Sequence, residues 1–196
     1  MSWYLFFGIS SGLVQIISII PYIKDMLKGE TRPNLITWFI WLILQIIVAL
    51  AQFTAGASWS IIIILVIIFN ITLVILLIFK GYGYKKYGFE DYFCLLLAIL
   101  AIVFWQITKN PLLAIFWALI ADLSAVVPTL IKVYREPRSE NLLSWKLNVL
   151  AAFLAILASS KIDFANLAFP IYYLFSDSAV VLTAIFRVKL FKIGKV

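Results

Sequence analysis

Seven apolar runs of similar length dominate this chain of 196 residues. They fall at about 3–23, 35–54, 60–79, 92–108, 111–133, 142–160 and 164–186. Each is near the roughly 20 residues that, as a helix, cross the ~30 Å hydrocarbon core of a bilayer. Lipid offers a backbone no partners, so each segment must satisfy its own amides and carbonyls. The runs therefore predict an all-α membrane protein with seven transmembrane helices. Composition agrees: 65% of residues are hydrophobic and 13% charged, against about 45–50% and about 25% in soluble domains. The first run has neither a basic leading segment nor a small-residue cleavage site, which reads as a retained span and not a cleaved signal peptide.

Histidine is absent and Cys94 is the lone cysteine. These counts exclude internal disulfides, His-based catalytic triads and His-liganded metal sites. No enzyme, cofactor or metal centre is expected. Span seven holds no interior lysine for a retinal Schiff base, since Lys189 falls at its end. The net charge of +7 does not point to nucleic acid, because the basic residues are dispersed between apolar runs. Of the 16 Lys and Arg, only Lys109 and Lys161 lie on one side; the rest, from Lys24 to Lys195, lie on the other. The basic side is expected in the cytoplasm, with the N-terminus outside and the C-terminus inside. The basic tail suits anionic lipid headgroups.

The chain also repeats itself. Residues 34–38 read NLITW and residues 141–145 read NLLSW, and Pro21 and Pro128 stand equally far ahead of Trp38 and Trp145. The shift that moves Pro21 onto Pro128 carries further: Gln15 falls on Asp122, Trp41 on Asn148 and Asn70 on Asp177. Span one thus pairs with five, two with six and three with seven, leaving span four as a linker. Four crossings separate the copies, so both point the same way. The expected organisation is a first three-helix repeat at 1–80, a loop and linker helix at 81–108, and a second repeat with a basic tail at 109–196.

This arrangement, with the segments PYIKDMLKGETRPNLITW and PTLIKVYREPRSENLLSW, resembles the PQ-loop and SWEET transporter superfamily, and most of all small bacterial members of it. SWEETs are parallel-repeat transporters. The resemblance implies a 3+1+3 bundle with an outside N-terminus in the bacterial inner membrane, and a solute site between the repeats. Neither proline here is followed by the family's Gln, since Tyr22 and Thr129 take that place. Asn70 matches an asparagine of the SWEET sugar site by type, whereas its counterpart is Asp177.

Candidate site residues follow from depth. A carboxylate at mid-span costs at least ~2.5–3.5 kcal/mol on insertion scales, so Asp122 and Asp177 must be protonated, paired or facing a watery cavity. The alternative is a protonated Asp acting as interhelical glue. Ser11, Gln15, Ser18 and Tyr22 recur at helical spacing as one polar stripe, matched in span five by Ala118, Asp122, Ala125 and Thr129. Trp38, Trp41, Gln45 and Gln52 share a face, as do Trp145, Asn148 and Ala152; Tyr173 sits one turn before Asp177. Asn70, Asp177, Asp122, Gln15, Asn148, Trp41 and Tyr173 are the substrate-binding candidates. Pro21 and Pro128 are expected to break the backbone ladder late in their spans, as hinges or static bends. The lone thiol, with Trp105 and Gln106 on span four, reads as structural.

The function expected is a small-solute transporter working by alternating access, with H+ coupling open to the two aspartates. The bilayer and a small molecule are the expected partners, and assembly as a homo-oligomer stays open. The alternative is a membrane receptor or assembly protein of the same fold, because fold does not fix function.

Overall fold

The computed structural model describes residues 2–31, 33, 35–83, 89–135 and 140–193. Within helices, the side chains at 37, 90, 91, 94, 98, 101, 102, 105, 106, 125, 128, 132 and 188–193 lie outside the description, so the readings placed on Cys94, Trp105, Gln106 and Ala125 do too. Among the described residues, seven helices account for the apolar runs: α1 (Trp3–Lys28), α2 (Leu35–Thr54), α3 (Ile61–Leu77), α4 (Phe89–Thr108), α5 (Pro111–Arg135), α6 (Leu142–Leu157) and α7 (Phe164–Ile193). A π-helical turn, Ile78–Tyr82, continues α3. No strand occurs among the described residues.

Among the described residues, four helices, α1, α3 with its π turn, α5 and α7, are long and apolar enough to cross a membrane. The 16 residues of α6 reach about 24 Å at 1.5 Å per residue, short of a full hydrocarbon core. The outer surface is apolar: Phe53 is 74% exposed, Phe175 69% and Leu182 65%. Buried positions include Ser11, Gln15, Ser18, Gln45, Gln52, Asn70, Asn166 and Asp177. A bundle with aromatic rings outside and amides inside is that of an integral membrane protein, since in water the pattern would be reversed.

Helix α1 lies between α3 and α6, while α5 lies between α7 and α2; α2 packs on α3, and α6 on α7. Helix α4 rests on α5 and α2. The contact of α1 with its neighbours is close because small residues line it. A Cβ at Gly8 would stand 2.8 Å from the main-chain oxygen of Trp59, and one at Gly12 2.8 Å from Ile62 Cγ2. On the side of α1 that meets α6, Ser11 Oγ donates to the Ala151 carbonyl at 2.7 Å, and Ala151, Ala152 and Ala155 are fully buried. Small faces let backbones approach and hydrogen-bond across the interface.

Both prolines sit within helices that continue past them. Helix α1 runs unbroken through Pro21 and ends only at Gly29, whose left-handed φ of 76° lets its N–H turn back to Asp25 and Met26 carbonyls. Helix α5 likewise continues across position 128, although the Pro128 side chain lies outside the described residues. Membrane helices carry proline without breaking because neighbouring groups satisfy the freed carbonyl.

Gly8→Ala is expected to lower stability by about 1–3 kcal/mol, the usual cost of overpacking, since the atom nearest the added methyl is the main-chain oxygen of Trp59. Thermal unfolding of the purified protein in detergent reads this; an unchanged melting temperature contradicts the packing described.

Candidate functional site

A cavity of about 320 Å³ opens along the bundle axis, and all seven substrate-binding candidates line it: Gln15 from α1, Trp41 from α2, Asn70 from α3, Asp122 from α5, Asn148 from α6, and Tyr173 with Asp177 from α7. The 3.6-residue period brings them together. Gln15, Ser18, Ile19 and Tyr22 occupy one face of α1, while Trp38, Trp41 and Gln45 occupy one face of α2. Asn70 and Asp177 are each 3% exposed and Gln15 is 4% exposed. Gln52, on the same face of α2, is fully buried beyond the cavity.

Polar bonds lock part of this lining. Asn70 Nδ2 donates to the main-chain carbonyl of Gln15 at 2.7 Å, joining α3 to α1. Gln15 Nε2 reaches the Tyr173 hydroxyl at 3.4 Å, joining α1 to α7. The Tyr172 hydroxyl donates to Asp122 Oδ2 at 2.6 Å, which ties α7 to α5. Asn148, Ser176 and Tyr173 surround the Asp177 carboxyl. Asn70 and Asp177 share the cavity without a direct bond to each other among the described contacts. Aromatic rings form one wall: Tyr22 and Trp38 stand 5.3 Å apart between centroids, and Trp38 and Trp41 5.4 Å.

The two ends of the cavity differ. Toward the end that carries Lys24, Lys28 and Lys146, the lining continues through Thr31, Pro33, Glu140, Ser144 and Trp145. There Asn141 Nδ2 donates to Asp25 Oδ2 at 2.6 Å, fastening the end of α1 to the start of α6. Toward the opposite end the lining stops, and Ile63 and Phe169 pack without access. Beyond them a polar seal joins the α2–α3 loop to the start of α7. Asn166 Oδ1 accepts from the Ser58 amide at 2.7 Å, Ser58 and Ser60 hydroxyls pair at 2.8 Å, and Ser60 Oγ donates to the Asn166 carbonyl at 3.3 Å. Lys161 Nζ donates to the Gly56 carbonyl at 2.8 Å, spanning the same two loops.

Sequence reasoning did not select Glu140, Ser144 or Ser176 for the lining, nor Ser58, Ser60 and Asn166 for the seal. Glu140 is the repeat equivalent of Pro33, and both line the cavity; extending the repeat into the loops would have found it. The seal carried no such signal, because serines and an asparagine near helix ends resemble ordinary caps.

Outside the spans, Asp163 Oδ1 accepts from both the Asn166 amide and Nδ2, at 2.9 and 2.8 Å. These bonds hold its carboxyl below the ordinary carboxylate range. A depressed value in the folded state means that the stabilisation is present above the ordinary range and is lost as pH falls through the lowered value. Asp163→Asn should therefore flatten the acid side of the stability curve. Melting temperatures on acidification test this, and equal acid slopes for the two proteins contradict it.

A comparison of the chain with known protein families, with curated proteins and with solved structures finds no match.

Proposed function

We propose that this protein is a small-solute carrier of the PQ-loop and SWEET kind, with seven spans arranged as two parallel three-helix repeats and a linker helix. The solute sits near the midplane between the repeats, and the two halves rock about it so that the cavity faces each side in turn. The observation that carries the reading is a polar cavity inside an apolar bundle, sealed at one end and extending to the other.

Two features support the repeat. Exchanging α1 with α5, α2 with α6 and α3 with α7 leaves the order of neighbours unchanged: α1 on α3 becomes α5 on α7, and α1 on α6 becomes α5 on α2. Equivalent positions also line the cavity in pairs, Gln15 with Asp122, Tyr22 with Thr129, Trp38 with Trp145, Trp41 with Asn148, and Asn70 with Asp177. With the basic end taken as cytoplasmic, the carrier reading makes this an inward-facing state and the Ser58–Asn166 seal its outer gate. Asp122 and Asp177 are available for proton coupling. Pro21 and Pro128 bend with the rocking units.

A receptor of the same fold keeps a fixed groove, whereas a carrier exposes its centre to both sides. Trp41→Cys, in a chain whose Cys94 is replaced by Ala, places one thiol in the cavity. A membrane-impermeant thiol reagent should modify it in sealed vesicles of either orientation. Labelling from the basic side alone removes the carrier and leaves the receptor.

A further inference from the structure

Among the fully buried side-chain nitrogens and oxygens of the described lining residues, those without a protein partner are strongly one-sided. Four are amide oxygens, Gln15 Oε1, Gln45 Oε1, Asn70 Oδ1 and Asn148 Oδ1; one is a carboxyl oxygen, Asp177 Oδ2, an acceptor when ionised; one is a donor, Trp41 Nε1. Asn70 Oδ1 cannot exchange roles with its amide nitrogen, because that nitrogen is committed to the Gln15 carbonyl. Asp177 as a carboxylate has no donor to offer. Both side chains are more than nine-tenths buried. Among the described lining residues there is no Lys or Arg, while Asp122 and Asp177 stand on facing helices.

We infer that the occupant is a small organic ammonium ion, a proposal that rests on the solute-binding reading of this cavity. An ammonium brings three donors and no acceptor. A sugar hydroxyl brings more acceptor than donor capacity, and so would place further lone pairs against a wall already rich in them. A carboxylate-bearing anion meets three acids, Asp122, Asp177 and Glu140, and no Lys or Arg among the described lining residues. A bare proton neutralises one carboxyl but leaves the amide oxygens of Asn70 and Asn148 without a donor. The ammonium head lies between Asp177, Asn70 and Asn148. The body of the ion lies along Tyr22, Trp38 and Trp41, whose consecutive rings suit a flat apolar group and whose faces attract the cation.

Three molecules of one shape and three charges separate the possibilities: 2-phenylethylamine, 2-phenylethanol and phenylacetate. Binding to the full-length protein in detergent is followed by tryptophan fluorescence and by calorimetry. The amine should bind at least tenfold more tightly than the alcohol, and phenylacetate should not bind. Asp177→Asn keeps the shape and removes the charge; it should cost the amine tenfold or more while leaving the alcohol unchanged. Asn70→Ala, should the first variant not fold, should weaken the amine several-fold. Equal affinity for amine and alcohol, or amine binding indifferent to both substitutions, overturns the inference. Uptake of a neutral solute by vesicles without amine binding overturns it while sparing the carrier; amine binding without uptake supports it and removes the carrier.

Discussion

A polar group without a partner in hydrocarbon costs several kcal/mol, and this cost organises the whole molecule. The rim must be apolar, which Phe53, Phe175 and Leu182 supply, and every amide, hydroxyl and carboxyl must be drawn to the axis. The stripe of Ser11, Gln15 and Ser18 on α1 faces inward for that reason. Once inside, those side chains become fasteners. Ser11 ties α1 to α6, Asn70 ties α3 to α1, and Tyr172 ties α7 to α5. The helices are held less by greasy contact, which lipid matches, than by close small-residue packing and these bonds.

The same rule is satisfied differently along the axis. At the end away from the basic residues, Ser58, Ser60, Ser159 and Asn166 answer one another, and the bundle is shut. At mid-depth, the side-chain oxygens Gln15 Oε1, Asn70 Oδ1, Asn148 Oδ1 and Asp177 Oδ2 lack protein partners. A partly satisfied polar network is less stable than an apolar core of the same size. On the proposed reading, the solute completes it. A closed seal of neutral groups beside an open acceptor-rich chamber is the asymmetry that a carrier caught facing one side would have.

Much of this could be read in the sequence. Most helix boundaries follow the apolar runs, because in a membrane protein segment length is set largely by the bilayer, whereas α1 and α7 continue past theirs to Lys28 and Ile193. The internal repeat alone singles out Gln15, Asp122, Asn70 and Asp177, and they share one cavity. Pro21 removes one backbone N–H from the ladder, and α1 nonetheless continues past it to Lys28. The seal at Ser58 and Asn166 is illegible because it joins distant loops through a geometry that no periodicity encodes. Nor can sequence tell which amide oxygens find donors, since that depends on rotamers and neighbours.

On the proposed reading, the two ends of this bundle open in opposition around a shared chamber. Spin labels on exposed positions at each end measure it directly, one pair at Trp59 and Ser160, the other at Glu30 and Leu143. In lipid, the account requires two distance populations per pair, with the long distance at one end accompanying the short distance at the other as conditions shift the balance. A single unchanging distance at both ends would contradict it.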